Sequence, residues 1–150
     1  MGPLVTALER EARSVGEGCG AVCTFSGIVR ATHTGRRVRH LEYEAHEVMA
    51  IRVFQRIATE IAEHWPLARV AIHHRVGRLE VGETSVVIAA SAAHRAESFQ
   101  VCRYAIERVK QIAPVWKHEF FEDGDAWVEG AVADPADAAA RQQALERACA

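Results

Sequence analysis

The chain has 150 residues, of which 49% are hydrophobic and 25% are charged, and this composition is typical of one globular domain with its own core. Its formal net charge of −2 gives no overall positive field, which argues against a nucleic-acid-binding protein. No apolar run is long enough to cross a membrane, and the start of the chain carries acidic residues where a secretory signal has an apolar segment.

The four cysteines are Cys19, Cys23, Cys102 and Cys149. Their spacing fits neither a zinc site nor a CxxC redox pair. In the absence of a secretory signal, we expect reduced thiols in a cytoplasmic protein. Cys102 falls on an apolar helical stripe and is predicted to belong to the core.

The first part of the chain predicts a short helix, two strands and a long helix. Residues 4–14 have the pattern of an amphipathic helix, and residues 21–29 are rich in β-branched residues, with Gly27 as a candidate bulge. Residues 38–45 alternate as a second strand, and we expect the two strands to pair as a long hairpin. Apolar residues then recur every three or four positions over residues 46–65, which predicts a helix. Its predicted buried stripe is Val48, Ile51, Phe54, Ala58, Ile61 and Trp65.

Three strands and a second long helix follow. Residues 68–76, 78–81 and 84–91 have strand patterns, and the last is continuously apolar, so we expect it to be buried on both faces. A helix is predicted from His94 to Ile112 and ends before Pro114. Its predicted buried stripe is Phe99, Cys102, Ile106, Val109 and Ala113.

The last part of the chain predicts a hairpin and a helical tail. Residues 115–121 alternate as a strand, and the Asp-Gly pair at 123–124 predicts a tight turn into a returning strand. A final helical tail is predicted over residues 134–149, with Asp134 as its N-cap and Pro135 in its first turn. Hairpins dominate this order, so we expect a single α+β domain with largely antiparallel sheet.

The two lysines of the chain, Lys110 and Lys117, lie close together among 16 arginines. A buried or crowded ammonium can lose its proton near neutral pH and act as a base or nucleophile, whereas a guanidinium cannot. The alternative for Lys110 is a surface ion pair with Glu107. The alternative for Lys117, which shares a strand face with Glu119, is a solvated lysine on an edge strand.

Two further groups of basic residues are candidates for anion binding. His94 and Arg95 lie where a buried strand runs into a helix, a junction at which free backbone N–H groups attract anions. The alternative is an ordinary helix start with incidental side chains. In the basic segment that follows the first strand, Arg36 and Arg37 are expected at a solvated hairpin tip. Arg30 closes that strand, and we expect it to point into a pocket.

No signature of a cofactor or metal site is present. His73 and His74 are neighbours on a strand, so they face opposite ways and do not share a metal easily. No phosphate-binding glycine loop, nucleophile elbow or zinc-protease helix occurs. We therefore expect neither a cofactor nor a metal.

Four segments taken together resemble a known family. They are "GAVCTFSGIVR" (20–30), "LEYEA" (41–45), "HHRVGRLEVGETSVVIAASAAHR" (73–95) and "YAIERVKQIAPVWKHEFFEDGDAWV" (104–128). In this order they resemble the large, catalytic subunit of molybdopterin synthase over about residues 20–130. The resemblance implies an α/β-hammerhead fold with additional antiparallel sheet.

The resemblance also implies an activity and partners. Enzymes of this family make the dithiolene of molybdopterin from precursor Z, a cyclic pyranopterin monophosphate. Each sulfur arrives as a thiocarboxylate on the C-terminal glycine of a small ubiquitin-like subunit. A central homodimer of large subunits carries a small subunit at each end, which makes a heterotetramer.

Carried over by motif, the implied active site consists of the residues singled out above. Lys110 and Lys117 are the implied catalytic residues, and they also bind substrate together with Arg30, His94 and Arg95. In the family the pocket lies near the dimer interface, so His94 and Arg95 are expected in the same subunit's site or in its neighbour's.

Two other functions remain open at this point. The first is a non-enzymatic, dimeric module that binds an anion or nucleotide through His94, Arg95 and the basic segment 30–40. The second is RNA binding, against which stand the net charge and the lack of aromatic residues interleaved with the arginines.

Overall fold

A computed structural model describes residues 18–128, 130–131 and 133–150. The predicted helix over residues 4–14 lies outside these ranges. The described residues form eight strands and three helices in a single α+β domain, and all strand pairs are antiparallel, as predicted. In chain order the elements are β1 (Ala21–Ile28), β2 (Thr32–His33), β3 (Arg36–Ala45), α1 (Glu47–His64), β4 (Arg69–His74), β5 (Gly77–Glu80), β6 (Thr84–Ala92), α2 (Arg95–Ile112), β7 (Val115–Phe121), β8 (Gly124–Val128) and α3 (Ala138–Cys149).

The first sheet has the strand order β1-β6-β4 and supports the main core. Every residue of β6 from Ser85 to Ala92 is buried, which confirms the prediction from its continuous apolar sequence. The register of β1 on β6 shifts between Gly27 and Ile28, so the predicted irregularity at Gly27 is confirmed. A Cβ atom at Gly27 would stand 2.7 Å from Cγ1 of Val86, so the close approach of the two strands needs glycine.

The second sheet has the order β2-β3-β7-β8, with β5 also paired to β3. The predicted hairpin between the strands now seen as β1 and β3 is wrong, because β1 pairs with β6 and β3 pairs with β7. The connection between them forms its own small hairpin. Thr34 and Gly35 have φ values of 49° and 77°, and these left-handed residues turn Thr32–His33 back onto Arg36 and Arg37.

Both long helices were predicted at the right place, but part of each buried stripe was wrong. In α1, Val48 and Ile51 are 60% and 57% exposed, while the buried apolar residues include Val53 and Ile57. In α2, Phe99 is 61% exposed. Apolar residues occupy more than one face of these helices, and packing against the sheet and the other helix selects the buried one. The remaining predicted positions, Phe54, Ala58, Ile61, Trp65, Cys102, Ile106, Val109 and Ala113, are buried or partly buried.

A buried ion pair joins the two long helices and the segment before α3. Arg108, which is 0% exposed, donates from Nε and Nη2 to the two oxygens of Glu60, both at 2.8 Å. The hydroxyl of Tyr104 donates to Glu60 at 2.7 Å, and Nη2 of Arg108 also donates to the carbonyl of Pro135. Burial alone would raise the pKa of Glu60, but the bonds from Arg108 and Tyr104 outweigh it and hold that pKa below its ordinary value.

The C-terminal helix was predicted with Asp134 as its N-cap, but its N-cap lies three residues later, at Asp137. Asp137 is the N-cap of α3 and accepts from the backbone N–H groups of Ala139 and Ala140. Asp134 instead accepts from the N–H of Ala136 in the turn before the helix. Both aspartates suit a cap, and the one nearer the helix provides it.

None of the helices in the described ranges is both long and apolar enough to cross a membrane. No group of three or more His, Cys, Asp or Glu side chains in those ranges is arranged to hold a metal ion.

Candidate active site

Two adjoining cavities lie between the two sheets and the C-terminal half of α2. Each has a volume of about 140 Å³. His74 lines one of them, which we call the His74 cavity, and Arg30 lines the other, which we call the Arg30 cavity. Together they form what we call the lysine cleft. The residues that line both cavities are Tyr43, Ser85, Val86, Ile106, Lys110 and Lys117.

Three different parts of the fold bring Lys110, Lys117 and Arg30 together. Lys110 lies in the last turn of α2, and Lys117 lies in the middle of β7. Arg30 follows Val29. The N–H of Val29 donates a hydrogen bond to the carbonyl of Glu83, and the carbonyl of Val29 accepts one from the N–H of Gly82, in the turn between β5 and β6. The structure therefore places three cations at one cleft.

Lys110 does not form the surface ion pair with Glu107 that was the alternative for it. Glu107, its expected partner in that alternative, accepts from Arg147 at 2.9 Å. Lys110 is exposed over part of its surface, but partial burial still lowers its pKa, and the positive charges of Lys117 and Arg30 lower it further. Lys110 therefore loses its proton more easily than an ordinary lysine.

Lys117 is held by a buried carboxylate and is not on an edge strand, because β7 lies between β3 and β8. Its Nζ lies 2.8 Å from Oε1 of Glu119, which is 3% exposed. The other oxygen, Oε2, accepts from Nδ1 of His33 at 2.5 Å. Burial alone would raise the pKa of Glu119, but the bonds from Lys117 and His33 outweigh it and keep the carboxylate ionised.

The His74 cavity has an aromatic wall. His74 ends β4, and its Nδ1 lies 2.8 Å from the carbonyl oxygen of Arg75. Its ring packs edge-on against Tyr43, with a centroid separation of 5.0 Å. Burial lowers the pKa of His74 although the bond to the Arg75 carbonyl acts in the opposite direction, and the charge of Lys110 lowers it further.

His94 and Arg95 are not at the lysine cleft of the same chain. Both are exposed at the N-terminal end of α2, with His94 as the N-cap, and neither lines the two cavities. The backbone of Arg95 and that of Lys110 are about 22 Å apart along α2 at a rise of about 1.5 Å per residue. This separation keeps the two residues away from the lysines of the same chain.

The tip arginines have structural partners. Nη2 of Arg36 lies 2.9 Å from Asp123, and its guanidinium stacks 3.8 Å over the ring of Phe121. Arg37 lies 3.6 Å from Glu122 and is largely exposed. These contacts pin the β2–β3 hairpin to the β7–β8 hairpin. Arg36 and Arg37 lie beside a hairpin turn, as predicted, but Arg36 is half-buried and held by its partners where a solvated side chain was expected.

The comparisons with known proteins agree with each other. A family model described as "MoaE protein" matches residues 4–112. The chain belongs to the MoaE protein family. Among MoaE relatives, it is 53% identical over 109 residues to the molybdopterin synthase catalytic subunit of Halalkalibacterium halodurans, a match that covers 73% of this chain and 70% of that one. It is 50% identical over 109 residues to the protein of the same name from Bacillus subtilis, covering 73% and 69% of the two chains.

A solved molybdopterin synthase structure has the same fold. Molybdopterin synthase from Staphylococcus aureus superposes with a TM-score of 0.74 at 42% identity, covering 77% of this chain and 84% of the other. This likeness confirms the fold expected from the resemblance. The family-model match includes the positions of Arg30, His94, Arg95 and Lys110, and it ends before Lys117.

Four residues at the lysine cleft of this MoaE-family chain were not predicted from the sequence as site residues. Glu119 shares a strand face with Lys117, so the alternation of β7 was a usable signal for it. His33 and His74 had no such signal, because His33 contacts a residue 86 positions away and His74 was considered only as a metal ligand. Tyr43 lies in the recognised "LEYEA" segment, but nothing in the sequence indicated that it faces the cleft.

Proposed function

We propose that this chain is the catalytic subunit of molybdopterin synthase. It converts precursor Z to molybdopterin by inserting two dithiolene sulfurs, and it thereby serves molybdenum cofactor biosynthesis. A small ubiquitin-like sulfur-carrier subunit delivers each sulfur as its C-terminal thiocarboxylate. The observation that carries the proposal is the convergence of Lys110, Lys117 and Arg30 on one cleft in a chain with two lysines.

The charges of the cleft suit both reactants. Precursor Z carries a phosphate and the sulfur carrier ends in a thiocarboxylate, so two anions have to be held close to each other. Arg30 provides a guanidinium for charge-assisted bonds to the phosphate. The ammonium of Lys117, held by Glu119, balances negative charge that develops during sulfur transfer. Lys110, with its lowered pKa, exchanges protons with the reacting groups.

His94 and Arg95 complete the site from a second copy of the chain in this proposal. Their distance from Lys110 along α2 supports a site shared between two chains, and their exposure leaves them available to a neighbour. A homodimer with one small subunit at each end, a heterotetramer, supplies such a neighbour. The function therefore requires the dimer as well as the partner subunit.

The cysteines support a reaction in which the sulfur comes from the partner. All four are free. Cys19 and Cys149 are exposed outside the lysine cleft, and burial raises the pKa of the Cys102 thiol, which makes it a poor nucleophile. Free thiols also fit our proposal that the protein works in the reducing cytoplasm.

Reconstitution with purified components tests the function. Wild-type protein, thiocarboxylated small subunit and precursor Z should yield molybdopterin, and Lys117→Ala should lower kcat by about 100-fold or more. Arg37→Ala is the matched control, since Arg37 is a cation of the same face of the molecule that lies outside the cleft, and it should retain wild-type kcat.

Two outcomes would contradict the proposal. Equal turnover by wild type and Lys117→Ala would remove the role of Lys117. Binding of precursor Z without turnover, under conditions in which an authentic synthase converts it with the same sulfur donor, would favour the anion-binding module over an enzyme. Size-exclusion chromatography of each variant separates loss of catalysis from loss of the dimer.

A further inference from the structure

His33 is a titratable side chain at the lysine cleft to which the proposed sulfur transfer gives no task. It ends β2 and lines the Arg30 cavity together with Lys117 and Glu119. Its Nδ1 lies 2.5 Å from Oε2 of Glu119, although the two residues are 86 positions apart and β3 lies between their strands. One side chain of the β2–β3 hairpin therefore reaches into the cleft.

The contacts of Glu119 use both oxygens of its carboxylate. Oε1 lies 2.8 Å from Nζ of Lys117, and Oε2 accepts from His33. The carboxyl end of a glutamate turns easily, because its last torsion has broad minima. A carboxylate bonded at one oxygen can still turn about that bond, whereas bonds at both oxygens fix its plane. The direction in which Oε1 meets Lys117 therefore depends on His33.

The acceptor determines which atom donates in the His33 contact. Burial alone would raise the pKa of Glu119, and the bonds from Lys117 and His33 outweigh it, so the side chain is an ionised carboxylate. An ionised carboxylate only accepts hydrogen bonds, so Nδ1 of His33 carries the hydrogen and donates it. This holds for a neutral ring and for a protonated one. His33 thus also helps to keep the negative charge that attracts Lys117.

The β2–β3 hairpin holds His33 at this place. Thr34 and Gly35, with φ values of 49° and 77°, turn the chain directly after His33, which pairs with Arg36. The guanidinium of Arg36 lies 2.9 Å from Asp123 in the turn between β7 and β8. The hairpin that carries His33 is therefore fixed to the β7–β8 hairpin, and the imidazole needs little further ordering of the backbone to meet its acceptor.

We propose that His33 is a positioning residue for Lys117: it donates from Nδ1 to Glu119 and fixes the carboxylate that directs the ammonium of Lys117 into the lysine cleft. His33 acts through Glu119 and touches neither reactant. Both contacts belong to the resting protein, and their consequence for turnover rests on the proposed function. Without His33 the carboxylate can turn, and the flexible stem of Lys117 turns with it.

Titration of the Glu119 carboxyl group tests the His33 contact without any substrate. The ¹³C signal of this group is assigned by its loss in Glu119→Gln and is followed with pH. In His33→Leu, which keeps bulk but has no donor, the pKa of Glu119 should rise above that of the wild type. In His33→Asn it should stay lower, because the amide nitrogen of asparagine occupies the place of Nδ1. An unchanged pKa in His33→Leu, or equal pKa values in the two variants, would overturn the proposal.

Turnover shows whether the placement of Lys117 depends on His33. The lost bond is to a charged group, and partial exposure of His33 screens it, so kcat should fall about 3- to 10-fold in His33→Leu. The KM for precursor Z should change less, because Lys117 balances charge that develops during the transfer. His33→Asn should recover part of the loss. Wild-type kcat in His33→Leu would contradict the positioning role.

His118→Asn is the matched control for a purely structural effect. His118 lies 2.6 Å from Asp125 and lines neither cavity. It is next to Glu119 on β7 and so lies on the opposite face of that strand. The substitution removes a histidine–carboxylate contact of similar length and should leave kcat unchanged, even where urea denaturation shows a loss of stability. A fall in kcat as large as that in His33→Leu would remove the specific role of His33.

A double substitution separates action through Glu119 from a direct role. In Glu119→Ala, which has no carboxylate to fix, the further change His33→Leu should alter kcat by less than about twofold. A further fall as large as that in the wild-type background would mean that His33 acts on the reactants, and it would overturn the proposal. If the carboxyl titration gives the expected result but the wild type makes no molybdopterin, the proposed function fails and the contact of His33 with Glu119 stands.

Discussion

The carboxylate of Glu119 connects the β2–β3 hairpin to the lysine cleft, because it contacts both His33 and Lys117. The substitution Glu119→Gln tests the contribution of its negative charge. The substitution keeps the shape of the side chain. It replaces an acceptor-only carboxylate, bonded to Lys117 at 2.8 Å and to His33 at 2.5 Å, by an amide with one accepting oxygen. One of the two bonds is therefore lost, and the other is no longer to an anion.

The magnitude follows from the partners and their exposure. A hydrogen bond to a charged group contributes about 1.5–3 kcal/mol. The side chains of Lys117 and His33 are 25% and 30% exposed, so water screens both bonds and the lower value applies. We expect a loss of about 1.5–2 kcal/mol. If all of it appears in the placement of Lys117, kcat falls about 10- to 30-fold.

Steady-state turnover of precursor Z and urea denaturation are the two assays. Glu122→Gln, an exposed change in the same hairpin, is the control and should alter neither quantity. The pKa of Glu119 is held below its ordinary value, so its contribution to stability is present above that ordinary value and is lost as the pH falls through the lowered pKa. The gap in stability between wild type and Glu119→Gln should therefore narrow in acid. An unchanged kcat, or a gap that widens in acid, would refute this account of the Glu119 contacts.

Two other substitutions test the fold. Glu60→Gln leaves the fully buried guanidinium of Arg108 without its anion and should reduce the free energy of unfolding by about 3 kcal/mol or more, measured in urea; a loss below about 1 kcal/mol would mean that Tyr104 and water replace the pair. Gly27→Ala forces a Cβ to within 2.7 Å of the stiff side chain of Val86 and should cost about 1–3 kcal/mol, measured in the same way. A neutral effect of Gly27→Ala would mean that β1 shifts freely on β6.

Local sequence features predicted most elements of this fold, and they failed where pairing is non-local. β6 was recognisable because a strand buried on both faces has no polar positions. The partner of β1 was not recognisable from the sequence. The nearest long strand-like segment is β3, whereas the true partner, β6, lies some 60 residues away. Thr34 and Gly35, which have positive φ values, form the turn of a small β2–β3 hairpin. This small hairpin replaces the single long hairpin that was expected between β1 and β3.

The candidate site shows the same limit. Lys110 and Lys117 were singled out by composition, and the resemblance to a family added Arg30, His94 and Arg95. The sequence alone could not reveal that the imidazoles of His33 and His74 lie at the cleft, because β2, β4 and β7 meet there across long stretches of chain. The separation of His94 and Arg95 from Lys110, by contrast, follows from the length of α2, which the sequence did predict.

The helix α2 fixes both the distance between Arg95 and Lys110 and the relative directions in which the two side chains leave the helix. Each residue advances the helix by about 100° of rotation, at 3.6 residues per turn. An insertion or deletion of one residue between Arg95 and Lys110 would turn Lys110 out of the cleft or turn His94 and Arg95 away from the direction they now face. It would also break the pairing of Arg108 with Glu60. Only a change of nearly a whole turn would keep both ends facing the same way, so the spacing from His94 to Lys110 is a stronger mark of the proposed site than either residue alone.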